Sequence, residues 1–245
     1  MPPNGWRHSA ETKQKLSILH KGSTPWNKGL HIYCGGQLFE KGYIPWNKGR
    51  VGCYKVKANL EPSPVLSYIL GVLAGDGWVV HIPKSGTYRI GLSNSRKGFA
   101  DEFAKALENI GLHCNIFPYI NQGWGSKLMY RVQASSRMFV DWYDSLLLAD
   151  VKKIALQYPD RYLWGFFQSE GSCGNRSLWM TNTNKSLVLM VQGVASAAGF
   201  NFHILSYLHK PDKHQRKYPI EHRLYLHGGR REIERFLSIG EIIGG

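Results

Sequence analysis

The chain has few cysteines, few acidic residues and no long apolar segment. Its 245 residues include four cysteines, at spacings that match neither a disulfide framework nor a standard zinc finger. No apolar run approaches the ~18 residues that a membrane-spanning helix needs, and no signal peptide is visible. We therefore expect an intracellular, soluble protein, in the cytoplasm or in an organelle. A zinc site of His20, His31, Cys34 and Cys53 is a remaining alternative.

Acidic residues are outnumbered by basic ones. There are 31 Lys and Arg against 17 Asp and Glu, so the net charge is +14. Such an excess predicts a polyanionic partner, most often nucleic acid, although a generally basic, solvated surface would give the same count. The charge is concentrated near the start, because residues 1–60 hold ten Lys and Arg and two acids. Hydrophobic residues make up 43% of the chain, which is enough for a packed core.

Two ten-residue stretches align without a gap, 94 residues apart. They are YILGVLAGDG at residues 68–77 and YLWGFFQSEG at residues 162–171. Each reads as an apolar helix that stops at a glycine. Each also has small residues four positions apart on one helix face, Gly71 with Gly75 and Gly165 with Ser169. This spacing predicts that the two helices approach each other closely.

An acid stands at the same place in both stretches, Asp76 in the first and Glu170 in the second. A carboxylate there faces the negative end of the helix dipole, at a cost of about 0.3–1 kcal/mol. The same local rule broken twice indicates function. If the helices pack side by side, the two carboxylates converge and would repel each other unless a cation lay between them.

The region around the two stretches is duplicated as well. Each copy predicts the order α-β-β-α-β-β-α, with the last helix of the first copy over residues 137–148. Asn94-Ser-Arg-Lys matches Asn182-Thr-Asn-Lys, and Arg137 matches Arg231. We therefore predict an α+β fold of two pseudo-symmetric halves, residues 61–152 and 153–245. Each half has a four-stranded antiparallel sheet whose outer face is left free by helices on the other side.

The paired stretches resemble the two signature motifs of the LAGLIDADG homing endonucleases, in the single-chain form with both motifs. The resemblance implies that the motif helices form the interface between the halves, and that two sheets form a saddle on the major groove of double-stranded DNA. It also implies metal-dependent cleavage of both strands of a long asymmetric site across the minor groove, leaving short 3′ overhangs. A monomer that works in intron homing is the corresponding expectation.

Residues 1–60 form a separate basic region in which the unit Pro-Trp-Asn-Lys-Gly occurs twice, at residues 25–29 and 45–49. A compact turn with an aromatic ring, an amide and a cation suits a DNA backbone and groove wall. The region resembles the small DNA-binding modules appended to many homing endonucleases. The alternative is that its tryptophans pin a basic tail onto the main domain.

Residue roles follow from the resemblance and from the charge pattern. The metal ligands are Asp76 and Glu170, with the backbone carbonyls of Gly75 and Ser169, and hard oxygen ligands favour Mg²⁺ or Mn²⁺. Arg137 and Arg231 take the place of the basic residue that the family keeps near each scissile phosphate. The predicted DNA-binding residues are Trp26, Asn27, Lys28, Trp46, Asn47, Lys48, Arg89, Arg131, Gln133, Lys210, Lys213, Arg216, Lys217, Arg223 and Tyr225.

Two other functions fit the same pattern. The first is a DNA- or RNA-binding regulator or an intron maturase that does not cleave. The presence of both motif acids argues against this function. The second is an endonuclease inside an intein. The chain shows no starting Cys or Ser and ends in Gly-Gly instead of His-Asn, so we expect a free-standing or intron-encoded enzyme.

Overall fold

The computed structural model describes residues 9–21, 57–121, 126–209 and 218–241. The chain forms two compact units, Met1–Arg50 and Val51–Gly245. In the first unit, helix α1 spans Ala10–His20. Its cap is Ser9, whose side chain accepts a hydrogen bond from the backbone N–H of Thr12 at 3.2 Å. This hydroxyl satisfies one of the free N–H groups at the start of the helix.

The second unit repeats one arrangement of helices and strands. Its first copy consists of α2 (Pro64–Leu73), β1 (Gly77–Ile82), β2 (Thr87–Asn94), α3 (Lys97–Asn109), β3 (Cys114–Asn121), β4 (Lys127–Ser135) and α4 (Arg137–Ser145). After α5 (Leu148–Gln157), the second copy consists of α6 (Pro159–Glu170), β5 (Gly171–Cys173), β6 (Leu178–Asn182), α7 (Lys185–Ala197), β7 (Phe202–Tyr207), β8 (Glu221–Leu226) and α8 (Gly229–Glu241). The predicted α-β-β-α-β-β-α order is confirmed in both copies.

Both sheets are antiparallel and have the same topology. The strand order is β1-β2-β4-β3 in the first and β5-β6-β8-β7 in the second. In each sheet the second and fourth strands of the copy lie in the middle. The strands of the first sheet have six to nine residues, whereas those of the second have three to six. At about 3.3 Å per residue, the first sheet is therefore the longer one along its strands.

The core lies between the helices and one face of each sheet. Ile90 and Leu92 of β2 and Leu224 of β8 are completely buried, while Arg89 is exposed. This alternation places the apolar side chains under the helices and leaves the opposite sheet face to polar and aromatic residues. Val132 of β4 is also completely buried.

The connection between the copies differs from our prediction. The helix expected over residues 137–148 ends at Ser145, because Leu146 takes an extended backbone conformation. Helix α5 then begins at Leu148, and the Asp150 carboxylate accepts a hydrogen bond from the backbone N–H of Leu147 at 3.2 Å. The predicted boundary between residues 152 and 153 falls inside α5 and, like the one between residues 60 and 61, stays a prediction.

Candidate active site

The two motif helices, α2 and α6, touch through their backbones. A Cβ atom added to Gly71 would lie 2.2 Å from the carbonyl oxygen of Tyr162, and one added to Gly165 would lie 2.4 Å from the carbonyl oxygen of Tyr68. The relation is reciprocal, as expected for a pseudo-twofold axis between the helices. Glycine is therefore required at both crossing points, and the spacing of small residues predicted this contact.

The carboxyl-terminal ends of the motif helices are also held together. A Cβ atom added to Gly75 would lie 2.4 Å from Cβ of Ser169 and 2.8 Å from Cγ of Glu170. The Ser169 hydroxyl lies 3.4 Å from the carbonyl oxygen of Val72 on the other motif helix and donates to it. Asp76 follows in the turn after α2, whereas Glu170 is the last residue of α6. The two acids thus stand at neighbouring helix ends.

Each acid accepts a hydrogen bond from an asparagine at the end of the second strand of its own half. Nδ2 of Asn94, the last residue of β2, donates to Asp76 at 2.9 Å. Nδ2 of Asn182, the last residue of β6, donates to Glu170 at 3.0 Å. These asparagines are equivalent in the two copies. The internal alignment paired them, although sequence reasoning assigned them no role.

The other end of each asparagine side chain is fixed by the backbone. Oδ1 of Asn94 accepts from the N–H of Arg96 at 3.0 Å, and Oδ1 of Asn182 accepts from the N–H of Asn184 at 2.9 Å. Both amides therefore have their orientation set, with the donor end toward the acid. Each carboxylate is aimed by a turn that its own half supplies.

The two carboxyl groups influence each other electrostatically. Loss of water on burial raises the pKa of Glu170 to about 7, with the negative charge of Asp76 as the next cause. The pKa of Asp76 is also raised, mainly by the removal of water around it, although this residue remains accessible to solvent. The asparagine hydrogen bonds oppose the shift at both acids. Two neighbouring carboxyl groups with raised pKa values would be stabilised in their charged form by a bound cation.

Arg96 brings a positive charge to the site from the first half only. Its guanidinium donates to the carbonyl oxygen of Gln168 near the end of α6, and its positive charge opposes the rise that burial causes in the pKa of Asp76. The equivalent residue in the second half is Asn184, whose side chain caps α7 by accepting from the N–H of Leu187 at 3.2 Å. The two halves thus contribute equivalent acids and asparagines to the site, but only the first half contributes an arginine at this position.

A polar network supports α6 on the same side. The Tyr68 hydroxyl donates to Oε1 of Gln168 at 2.7 Å, and Nε2 of Gln168 donates to Glu102 at 2.6 Å. Nε1 of Trp164 donates to the second oxygen of Glu102 at 3.1 Å. At the position equivalent to Gln168, the first motif has Ala74. The network therefore fixes the end of only one of the two motif helices.

The acid pair suits a divalent metal that shares its remaining positions with substrate and water. No group of three or more His, Cys, Asp and Glu side chains among the described residues is arranged to hold a metal ion. Mg²⁺ is usually bound by one or two carboxylates together with waters and substrate phosphates, so two acids meet its needs. The roles of the Gly75 and Ser169 carbonyls stay predictions. Three of the four alternative zinc ligands, His31, Cys34 and Cys53, lie outside the described residues.

The structure does not bring the two predicted basic residues to the acids. Arg137 begins α4 after β4, whose end pairs with the start of β2, and its guanidinium lies over the Tyr88 ring at 5.4 Å. Asn94, beside Asp76, is at the opposite end of β2. Arg231 follows β8 at the corresponding far end of the second sheet. The guanidinium of Arg96, in contrast, reaches the end of α6.

The outer faces of the two sheets carry the remaining described candidates. Arg89 and Arg131 are exposed, and Gln133, Arg223 and Tyr225 are half-buried. All five lie on the faces opposite the helices, in the register that strand pairing gives. Ten other predicted DNA-binding residues lie outside the described residues, namely Trp26, Asn27, Lys28, Trp46, Asn47, Lys48, Lys210, Lys213, Arg216 and Lys217.

Comparison with protein families confirms the resemblance. Residues 63–147 match the LAGLIDADG-like domain, and residues 5–31 match the NUMOD3 motif. Residues 63–147 therefore resemble a LAGLIDADG-like domain, and a NUMOD3 motif precedes them in the chain. None of the described helices is long and apolar enough to cross a membrane.

Two curated relatives come from Methanocaldococcus jannaschii. Uncharacterized protein MJ0314 is 36% identical over 147 residues, which cover 54% of this chain and 53% of the relative. Uncharacterized protein MJ0398 is 33% identical over 130 residues, which cover 53% of this chain and 47% of the relative. The chain spans about half the length of these relatives.

Solved structures of homing endonucleases have the same fold. The complex of I-DmoI with DNA and Ca matches with a TM-score of 0.52 and 18% identity, over 71% of this chain and 87% of that one. The complex of I-DmoI with DNA and Mn matches with a TM-score of 0.51 and 16% identity, over 74% and 97%. Full-length DUF199/WhiA from Thermatoga maritima matches with a TM-score of 0.51 and 14% identity, over 74% and 55%. These likenesses establish the fold.

Proposed function

We propose that this chain is a site-specific, metal-dependent DNA endonuclease of the homing type, which cuts both strands of a long asymmetric target. The observation that carries the proposal is the pair of acids at the ends of two helices in backbone contact, each aimed by an asparagine. An arrangement that costs stability and recurs in both halves is expected where chemistry is done.

Asp76 and Glu170 are the proposed ligands of Mg²⁺ or Mn²⁺, together with the backbone carbonyls of Gly75 and Ser169. When bound, the cation supplies an activated water and neutralises charge on the scissile phosphate. Asn94 and Asn182 hold the carboxylates in position. Such supporting hydrogen bonds usually contribute ten- to hundred-fold to metal affinity or activity.

Arg96 is the proposed basic group at the reacting phosphate, instead of Arg137 and Arg231. It already donates to the end of α6, and its positive charge opposes the rise in the pKa of Asp76. An arginine side chain would stabilise developing negative charge but is a poor proton donor. The nucleic-acid partner is supported by the net charge of +14 and by the arginines on both sheet faces.

A DNA- or RNA-binding regulator, or a maturase, on the same scaffold is the competing function. The fold does not separate the two functions, because I-DmoI, a homing endonuclease, and DUF199/WhiA match this chain almost equally well. The acid pair supports cleavage, since binding alone gives no reason for two partly desolvated carboxylates at neighbouring helix ends.

The test is a cleavage and nicking assay on a randomised duplex library with Mg²⁺, and with Ca²⁺ as the comparison. We expect cutting at one long sequence in Mg²⁺ and binding without cutting in Ca²⁺. Asp76→Asn and Glu170→Gln should lose cleavage while keeping DNA affinity. Glu61→Gln, an exposed acid just before the other end of α2, is the matched control and should cut normally.

Two outcomes would count against the proposal. Tight, salt-sensitive binding without cutting in Mg²⁺ or Mn²⁺ would favour the regulator or maturase, and RNA would be tested next. Full cleavage by either acid variant would refute the assignment of the metal ligands.

A further inference from the structure

The two sheets carry the same arginine–tyrosine pair at equivalent places. The guanidinium carbon of Arg131 lies 4.8 Å from the ring centre of Tyr119 in the first sheet. That of Arg223 lies 4.7 Å from the ring centre of Tyr207 in the second. These distances are within the ~6 Å range of cation–π contacts. Both arginines come from a middle strand, β4 or β8, and both tyrosines from the edge strand beside it.

Strand register shows that the two pairs are equivalent. Arg131 stands opposite Phe117, with Tyr119 two residues further along β3. Arg223 stands opposite Leu205, with Tyr207 two residues further along β7. Each arginine therefore reaches diagonally across the outer sheet face to its tyrosine, in the same direction in both halves. The pseudo-twofold relation between the halves extends to these two guanidinium groups.

A guanidinium lying on a ring is prepared for binding a base. The ring limits the motion of a long side chain that would otherwise lose rotamer entropy on binding. In the major groove, the common bidentate partner of arginine is O6 and N7 of guanine. A phosphate contact needs no such orientation, because any mobile lysine or arginine on the sheet would serve.

The second pair has an additional restraint. Nε of Arg223 donates to Glu221, and Nη1 lies 3.3 Å from the Tyr225 hydroxyl and donates to it. Glu221 also bonds Nε2 of His209 at 2.7 Å. In the first sheet, Met129 pairs with Tyr119 as Glu221 pairs with Tyr207, so the acid has no counterpart there.

We propose that Arg131 and Arg223 each read a guanine, at matched distances from the centre of the target and on opposite strands, with Glu221 positioning Arg223. This inference rests on the proposed function, since it assumes that the sheet faces lie in the major groove. It predicts one pseudo-palindromic G·C pair within an otherwise asymmetric site. Pseudo-twofold symmetry of the protein is then mirrored in the DNA at this one position.

The experiment is selection of bound duplexes from a randomised library by the full chain in Ca²⁺, followed by sequencing. The wild type should select guanine at two positions equally far from the centre. Arg131→Gln and Arg131→Lys should each lose the guanine preference at one of them, by about 5- to 150-fold in relative affinity, and keep the other. Tyr119→Leu should weaken the same preference, and Glu221→Gln should weaken the one read by Arg223.

The lysine variant separates base reading from a phosphate contact. A phosphate contact would survive in Arg131→Lys, whereas bidentate reading of guanine would not. Lys105→Gln, an exposed change on α3, is the control for net charge and should alter no base preference. Melting temperatures of all variants would establish that they are folded.

Failure of the inference and failure of the proposed function give different results. Selected sequences without matched guanines, or equal weakening of all sequences by Arg131→Gln with a salt slope lower by about 1, would overturn the guanine-reading role alone. Absence of any selected DNA sequence by the folded wild type would overturn the proposed function as well.

Discussion

The backbone contact between α2 and α6 makes a stability prediction of definite sign. We expect Gly71→Ala to destabilise the protein, although alanine is the better helix former by about 1 kcal/mol. The added Cβ would lie 2.2 Å from the carbonyl oxygen of Tyr162, where ordinary contacts begin at 3.4 Å. The obstructing atom is backbone, so no side-chain rotation can relieve the overlap and the helices must move apart by about 1 Å.

The magnitude follows from this displacement. Overpacking of a well-packed core costs about 1–3 kcal/mol and occasionally more, and here the clash is with backbone. Taking the upper end of this range, about 3 kcal/mol, and subtracting the gain of about 1 kcal/mol in helix propensity, we expect a net loss of about 2 kcal/mol. In a chain of this size that corresponds to a melting temperature lower by about 4–8 °C.

Gly193→Ala is the matched control, because Gly193 also lies inside a helix, α7. Its added Cβ would meet only the end of the Lys152 side chain, at 3.8 Å. We expect this variant to be more stable than the wild type by about 0.5–1 kcal/mol. Thermal unfolding of both variants is the assay. A Gly71→Ala protein that melts with or above the wild type would refute the close packing of the motif helices.

Four other changes test the site and the first unit. In EDTA, Glu170→Gln should be as stable as the wild type near pH 4.5 and more stable above pH 7. Burial raises the pKa of the Glu170 carboxyl to about 7 in the folded protein, so its ionisation opposes folding as the pH rises through this window. The same difference in unfolding free energy between the two proteins at both pH values would contradict this. Asn94→Ala should slow cleavage by about ten- to hundred-fold and raise the Mg²⁺ concentration required, and an unchanged Mg²⁺ titration would remove the asparagine from the site. Arg96→Gln should slow cutting of one strand more than the other, so that nicked duplex accumulates. Equal slowing on both strands would argue against a role of the Arg96 guanidinium at only one of the two scissile phosphates. Deleting residues 1–50 should weaken DNA affinity and flatten its dependence on salt, and an unchanged salt slope would mean that this unit does not touch DNA.

The features predictable from the sequence were those with a fixed period or an internal copy. The paired glycines predicted the helix contact, because residues four apart share one helix face. The duplication of the whole region predicted that both copies have the order α-β-β-α-β-β-α. The gap-free match between the motifs predicted that Asp76 and Glu170 stand at equivalent places.

The basic residue was misplaced because matching positions between copies gives no sheet order. Once the order β1-β2-β4-β3 is known, strand direction decides the matter. β1 leaves the acid and β2 returns to it, so the end of β2 lies beside Asp76. β4 runs antiparallel to β2 and ends at the far side, which carries Arg137 away. Asn94 and Arg96 were therefore the residues to examine, and their signal was the repeated Asn at the end of both strands.

The two halves agree where geometry must be shared and differ where each half has a separate task. The crossing glycines, the acids and their asparagines recur because one pair of helices must bring two carboxylates together. The halves differ in the arginine at the site, Arg96, in the acid beside the arginine–tyrosine pair, Glu221, and in the lengths of their strands. A duplex with two unlike half-sites presents the same backbone geometry at its centre and different base edges outside it. This division suits the proposed action on an asymmetric DNA target.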